Sequence, residues 1–360
     1  MQLLDKTFYS IFNKSSVILL IIISIFCNCS DKSTSPIKDD NQLEYVIPEE
    51  VGYSSVKLND AKEFAGKNDY AAMMALYDGK VFFSWGDITK NYKCHSIRKP
   101  FLSSLFGIHV QLGNINLGAT LEELGIDDIP PSLTEGEKKA TVKDLLKSRS
   151  GIYHNAAAET QGMKDLRPAR GSHQPGTFFY YNNWDFNVLG SIFEQQTGTK
   201  IFEEFKKKIA DPIGMEDFSV ENCYYQFENE LSVHPAYSFR MSARDMARFG
   251  ILYQKNGSWK GHQIIPRNWI SESTSTFSII DSTAGVGYGY LWVTIPEGSA
   301  FEQLIGSPGY YHTGIGVHVI IILPELKLVI VQRYDTDNVW SDPGDVGMEL
   351  GLMVINSRLP

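Results

Sequence analysis

Within His95-Ser96-Ile97-Arg98-Lys99-Pro100-Phe101, a serine and a lysine stand three residues apart. If Ser96 opens a helix, Lys99 lies on the same face and can touch its hydroxyl. A serine hydroxyl is a weak nucleophile until a base takes its proton, and a desolvated lysine of lowered pKa can do so. Free N–H groups at the start of such a helix would point at a developing oxyanion. Phe101, Leu105 and Ile108 supply an apolar stripe that would bury the helix. Pro100 falls early enough for its missing N–H to matter little. Taken alone the pattern is common, and a capped helix with a surface lysine also accounts for it.

Two further segments carry compatible chemistry. In Pro175-Gly176-Thr177-Phe178-Phe179-Tyr180-Tyr181-Asn182-Asn183, Tyr181 and Asn183 could both face one site. The phenol would then shuttle a proton and the amide would donate to a substrate carbonyl; an aromatic packing loop is the alternative. In Tyr311-His312-Thr313-Gly314-Ile315-Gly316, leading into an apolar run from Val317, the glycines would let a substrate backbone approach. The Ile315 N–H could serve as a second oxyanion donor, although His312 alone reads equally as a surface histidine.

The three motifs, in this order, resemble those of the serine β-lactamase and penicillin-binding-protein superfamily: Ser96-x-x-Lys99, Tyr181-x-Asn183 and His312-Thr313-Gly314. Tyrosine in the second motif is similar to the class C β-lactamase, D-Ala-D-Ala carboxypeptidase and esterase branch. Pro175-Gly176 and the run Leu145 to Gly151 (LLKSRSG) match that branch too, and the resemblance extends from about residue 50 to the end. Tyr153-His154-Asn155 and Tyr180-Tyr181-Asn182 also fit the second motif, but the upstream Pro-Gly selects Tyr181. The third motif departs from the Lys-Thr-Gly of efficient β-lactamases, and His312 offers a weaker, pH-dependent charge. Antibiotic hydrolysis is therefore not the expected role.

The resemblance implies that Ser96 attacks a carbonyl while Lys99 and Tyr181 move the proton to the leaving group, without a metal or organic cofactor. The N–H groups of Ser96 and Ile315 would hold the oxyanion. Asn183 and Thr313 would orient the substrate, and His312 would steer a polar or anionic end. It implies an acyl-enzyme hydrolase of an ester, amide or peptide bond, on a small-molecule or peptidoglycan-derived substrate. The alternatives are a D-Ala-D-Ala carboxypeptidase, a true β-lactamase or a non-catalytic peptidoglycan binder.

The elements that must position these residues read as an α+β fold of the β-lactamase/transpeptidase type. A helix is expected around Ser54 to Asn68, then a hairpin of Ala71–Tyr77 and Val81–Trp85 about the turn Asp78-Gly79-Lys80. The middle, with helices at Asp144–Lys147 and Ala243–Gln254, forms a mostly helical lobe. The second of these helices carries an apolar face at Met246, Phe249, Gly250 and Tyr253. Strands are expected at Gly289–Ile295, Val317–Leu323 and Lys327–Arg333, and a last helix at about Val346–Ser357. Strands from both termini would build one antiparallel sheet, with the site in the cleft beside the helical lobe.

The chain of 360 residues is 43% hydrophobic and 21% charged, ordinary for a globular protein, with a formal net charge of -9. That surface repels nucleic acid and anionic lipid. At the N-terminus, Lys6 and Lys14 precede the apolar run Val17 to Phe26, too short to span a bilayer but suited to a signal peptide. Cys29, followed by a polar stretch, resembles the lipidated first residue of a bacterial lipoprotein; a plain signal or an uncleaved anchor is the alternative. The expected division is a signal at 1–29, a polar tether at 30–47 and the hydrolase domain at 48–360, held at the cell envelope by a membrane lipid anchor. Cys94 and Cys223 remain in the folded part and are read as unpaired, and their spacing with the histidines fits no zinc site.

Overall fold

Asp78 and Gly79 both adopt positive φ (48° and 89°), the backbone of the tight turn that matches the twist of paired strands. They join strand β1 (Tyr70–Tyr77) to β2 (Lys80–Gly86) in the expected hairpin. The computed structural model describes residues 42–337 and 348–360. The proposed signal segment and Cys29 lie outside the described residues. Part of the tether does not: Val46 N–H donates to the Val81 carbonyl and Val81 N–H to that of Glu44, so chain ahead of residue 48 already lies along β2.

Six more strands complete the sheet: β3 (Ser278–Asp281), β4 (Val286–Tyr288), β5 (Val293–Ile295), β6 (Gly309–Gly314), β7 (His318–Leu323) and β8 (Leu328–Tyr334). The order is β2-β1-β8-β7-β6-β5-β4-β3, antiparallel throughout, so strands from both ends of the chain meet where β1 pairs with β8. Every residue of β7 and β8 is buried, because helices cover both faces. On one side Met73, Ala75, Val319, Ile321 and Ile330 pack with helices α1 (Ser55–Lys67) and α6 (Glu349–Ile355). On the other, Met74, Leu76, Ile320, Val329 and Val331 join the core that includes α2 (Arg98–Gln111) and α5 (Ala243–Gln254). Cutting one of these side chains, such as Ile320, to alanine removes about 2–5 kcal/mol. At Gly250 in α5, a Cβ would lie 2.4 Å from Val329 Cγ1, so the glycine is what lets the helix rest on β8.

Several boundaries differ from expectation. Ser54 and Asn68 cap α1 rather than belong to it. The helix expected at 144–147 is α3 (Val142–Leu146), set by a capping box between Thr141 and Asp144. Of Gly289–Ile295 only the last three residues are strand. Leu291 is buried with φ 63° and its N–H donates to the Leu146 carbonyl, so this apolar run turns to meet the helical lobe. Val317 and Lys327 also have positive φ and belong to turns rather than to β7 and β8. Tyr311–Gly314 is not a lead-in to the following strand but most of β6, which hairpins through residues 315–317 onto β7.

Candidate active site

Ser96 occupies a short 3₁₀ turn, His95–Ile97, that runs into α2. His95 enters that turn with φ 47°, a left-handed conformation uncommon outside glycine. The helix behind it is buried on nearly all sides from Arg98 to His109, not along one apolar stripe. Lys99 is therefore not a surface lysine. It is 1% exposed, and its Nζ lies 2.8 Å from Ser96 Oγ. The amine also sits over two ring faces, 4.7 Å from the centre of Tyr181 and 4.6 Å from that of Phe186. No carboxylate pairs with it among the described residues. Burial, reinforced by the charge of Arg98, holds its pKa well below the usual lysine value.

Tyr181 is brought to Ser96 from a separate element, the loop ahead of helix α4 (Asn183–Thr197). Its hydroxyl bonds to Ser96; burial raises the phenol pKa, and the Ser96 bond and the Arg98 charge only partly oppose that rise. Its ring packs on Phe186 at 4.9 Å and faces Tyr288 at 6.2 Å and His312 at 6.5 Å. The clamp that fixes it lies in the run 145–151. Ser148 Oγ donates to the Tyr180 carbonyl (2.6 Å) and accepts from Asn182 N–H (3.1 Å). Asn182 caps α4 by accepting from Trp184 N–H, and its amide donates to the Ile152 carbonyl and to Asp185. Asp185 in turn accepts from Ser150 Oγ at 2.5 Å. Arg149 and Gly176 exchange hydrogen bonds, which anchors the Pro175-Gly176 turn upstream. The competing Tyr153 is directed elsewhere, with its hydroxyl 3.0 Å from His173 Nδ1.

Asn183 is buried, and its amide nitrogen donates to the Ala158 carbonyl at 2.6 Å. That bond uses one of the two amide N–H donors.

His312, Thr313 and Gly314 lie at the end of β6, with Ile315 exposed in the turn that follows. A Cβ on Gly314 would sit 2.7 Å from the Cys94 carbonyl oxygen and 3.1 Å from His95 Cβ. The strand thus presses directly on the residues preceding Ser96. His312 does not carry the charge expected of it. It is 1% exposed, and burial, with the nearby Lys99 and Arg98, lowers its pKa to about 3. Its Nδ1 lies 2.8 Å from the Thr313 carbonyl, which accepts only if Nδ1 bears the ring proton. Nε2 is then an acceptor, buried and without a hydrogen-bond partner among the described residues.

Arg98 was legible in the motif but not as part of the site. It is 5% exposed, donates to Asn187 Oδ1 at 3.2 Å and lies 4.2 Å from the centre of the Tyr237 ring. Only its adjacency to Lys99 signals it in the sequence. Cys94 and Cys223 form no disulfide among the described residues.

Comparison with known proteins bears on the family and the fold. A D-aminopeptidase of Brucella anthropi is 29% identical over 171 residues, which is 41% of this chain and 32% of the relative, so the match spans about a third of that protein's length. The fold is similar to that of an octameric penicillin-binding-protein homologue from Pyrococcus abyssi. The TM-score is 0.62 at 21% identity, over 85% of this chain and 78% of the other. It is also similar to a penicillin-binding protein from Bacillus halodurans, with TM-score 0.60 at 14% identity, over 82% and 99% of the two chains. The family profile described as Beta-lactamase matches residues 71–332, a span that holds Ser96, Lys99, Tyr181 and His312, and the chain belongs to that family.

Proposed function

We propose that the protein is a serine hydrolase that cleaves an amide, peptide or ester bond through an acyl-enzyme on Ser96. The observation that carries this reading is the buried Lys99 amine, 2.8 Å from Ser96 Oγ and unpaired with any carboxylate among the described residues. A lysine so desolvated is largely neutral and can accept the hydroxyl proton. The raised pKa of Tyr181 keeps the phenol protonated at rest, so Lys99 is the base in acylation and Tyr181 passes a proton to the leaving group. As Ser96 Oγ bonds to the carbonyl carbon, the carbonyl π electrons move to its oxygen, where the N–H groups of Ser96 and Ile315 receive the charge. Collapse expels the leaving group, which takes the Tyr181 proton as Lys99 returns the Ser96 proton to Tyr181. Water then attacks the acyl-enzyme, giving its proton to Lys99, and Ser96 Oγ leaves and is reprotonated.

The neutral His312 removes the cation that would clamp a β-lactam carboxylate, and the D-aminopeptidase relative favours an amide or peptide substrate. The N-terminal sequence supports export and lipidation at Cys29. A mature chain lacking an acyl-modified Cys29 in the membrane fraction overturns that part.

The decisive test is covalent labelling by a fluorophosphonate probe. Labelling of the wild-type protein, abolished in Ser96→Ala, is expected; persistent labelling in that variant removes Ser96 as nucleophile.

A further inference from the structure

A short strap that follows β8 closes over the nucleophile turn. Asp335 is paired with Lys90 (2.6 Å) and Asp337 with Arg240 (2.8 Å), and between them the Thr336 hydroxyl lies 2.8 Å from His95 Nε2. A second histidine shares that hydroxyl, since His318 Nε2 lies 3.5 Å from Thr336 Oγ1. The two imidazole rings are 5.4 Å apart.

The contacts have a direction. The Tyr334 peptide N–H can only donate, and it faces His318 Nδ1 at 3.4 Å, so that nitrogen is an acceptor. The neutral ring then bears its proton on Nε2 and donates to Thr336, leaving the threonine proton to bond His95 Nε2. The hydrogen bond therefore ends on the residue whose left-handed backbone delivers Ser96.

The same stretch of β8 fixes both sides of the site. Arg333 donates to the Tyr92 and Lys93 carbonyls, at 2.9 and 3.1 Å, just ahead of Cys94. Gln332 donates to the Val317 carbonyl at 2.9 Å, in the turn that carries Ile315. Gly314 fits where a Cβ would meet both His95 Cβ (3.1 Å) and His318 Cβ (3.4 Å).

We propose that Thr336, with His95 and His318, is a positioning device that sets the Ser96 turn against the Ile315 turn, and so fixes the spacing of the two N–H groups that receive the oxyanion. It rests on the hydrolase reading above. A side chain acting this way changes the rate of bond making and leaves substrate affinity nearly untouched, because its benefit is felt when charge develops on the oxygen.

Thr336→Val removes the hydroxyl at almost constant volume. Fluorophosphonate labelling of the full chain should slow about ten- to hundred-fold, through the limiting rate rather than the half-saturating probe concentration. Thr336→Ser should restore it. Melting temperatures separate this from simple loosening, since a merely structural threonine would lower the melting point while labelling well below it stays at the wild-type rate. Should Thr336→Val not fold, His95→Asn tolerates the left-handed backbone but is too short to keep the bond, and should show the same loss. Wild-type labelling in folded Thr336→Val, or a loss confined to probe affinity, overturns the proposal. A wild-type protein that the probe does not label overturns the hydrolase reading, and the proposal with it.

Discussion

Lys99 Nζ lies 2.8 Å from Ser96 Oγ beneath two aromatic faces, with no carboxylate paired to it among the described residues and with the Arg98 cation next to it in the chain. Burial without a carboxylate partner and the Arg98 charge disfavour the ammonium form and outweigh the two ring faces, which favour it. Lys99→Met keeps the length and apolar packing of the stem but removes the base. Acylation should fall about a hundred- to ten-thousand-fold, read as the second-order rate of probe labelling, while circular dichroism stays unchanged. Retention of the wild-type rate would show that another group takes the Ser96 proton.

The charge of Arg98 makes a second, separable prediction. Labelling should rise with pH as Lys99 loses its proton, with the midpoint below the ordinary lysine value. Arg98→Met removes a neighbouring positive charge, which makes the ammonium less costly and raises the Lys99 pKa. The acid limb of the pH–rate profile should therefore move to higher pH. A shift to lower pH, or none, would rule out this role for Arg98.

How far the site could be read from the sequence depends on where its determinants lie along the chain. Ser96 and Lys99 are three residues apart, and Tyr181 is marked by Pro175-Gly176 nearby, so local spacing was enough to find them. Asp78-Gly79 likewise specified a hairpin on its own. The charge of His312 could not be read that way, because it depends on Lys99 and Arg98 more than two hundred positions away and on burial between them. The strap is hidden for the same reason: Thr336 meets His95 across 241 positions and belongs to no motif. Leu291 misled because a β-branched and aromatic run favours a strand, whereas its contact with the Leu146 carbonyl imposes a left-handed turn.

Stability should fall on mild acidification. His312 titrates at about 3 and His95 at about 4 in the folded protein, both pushed down chiefly by burial, and His318 lies well below its usual value. Between pH 6.5 and those values the unfolded chain takes up protons that the native state refuses, so unfolding becomes easier as the pH drops through this window. At pH 5 a fully buried histidine held neutral costs about 2 kcal/mol relative to pH 7. Urea unfolding at pH 7.5 and pH 5.0 should show the loss, and His312→Gln should reduce it. Equal midpoints at the two pH values would contradict neutral burial.

Gly314→Ala tests the contact between β6 and the nucleophile turn. The added Cβ would stand 2.7 Å from the Cys94 carbonyl oxygen, a backbone atom that Arg333 and the 3₁₀ turn help to hold in place. Relief requires β6 to move away from His95, which carries the Ile315 N–H away from Ser96. Overpacking of this kind costs about 1–3 kcal/mol of stability. The misplaced donor should cost about a hundred-fold in labelling rate, well below the melting temperature. Gly351→Ala is the matched control, since a Cβ there in α6 meets nothing within 4 Å and alanine favours the helix. It should label like the wild type and melt no lower. If Gly314→Ala also labels at the wild-type rate, the Ile315 turn does not form the second half of the oxyanion site.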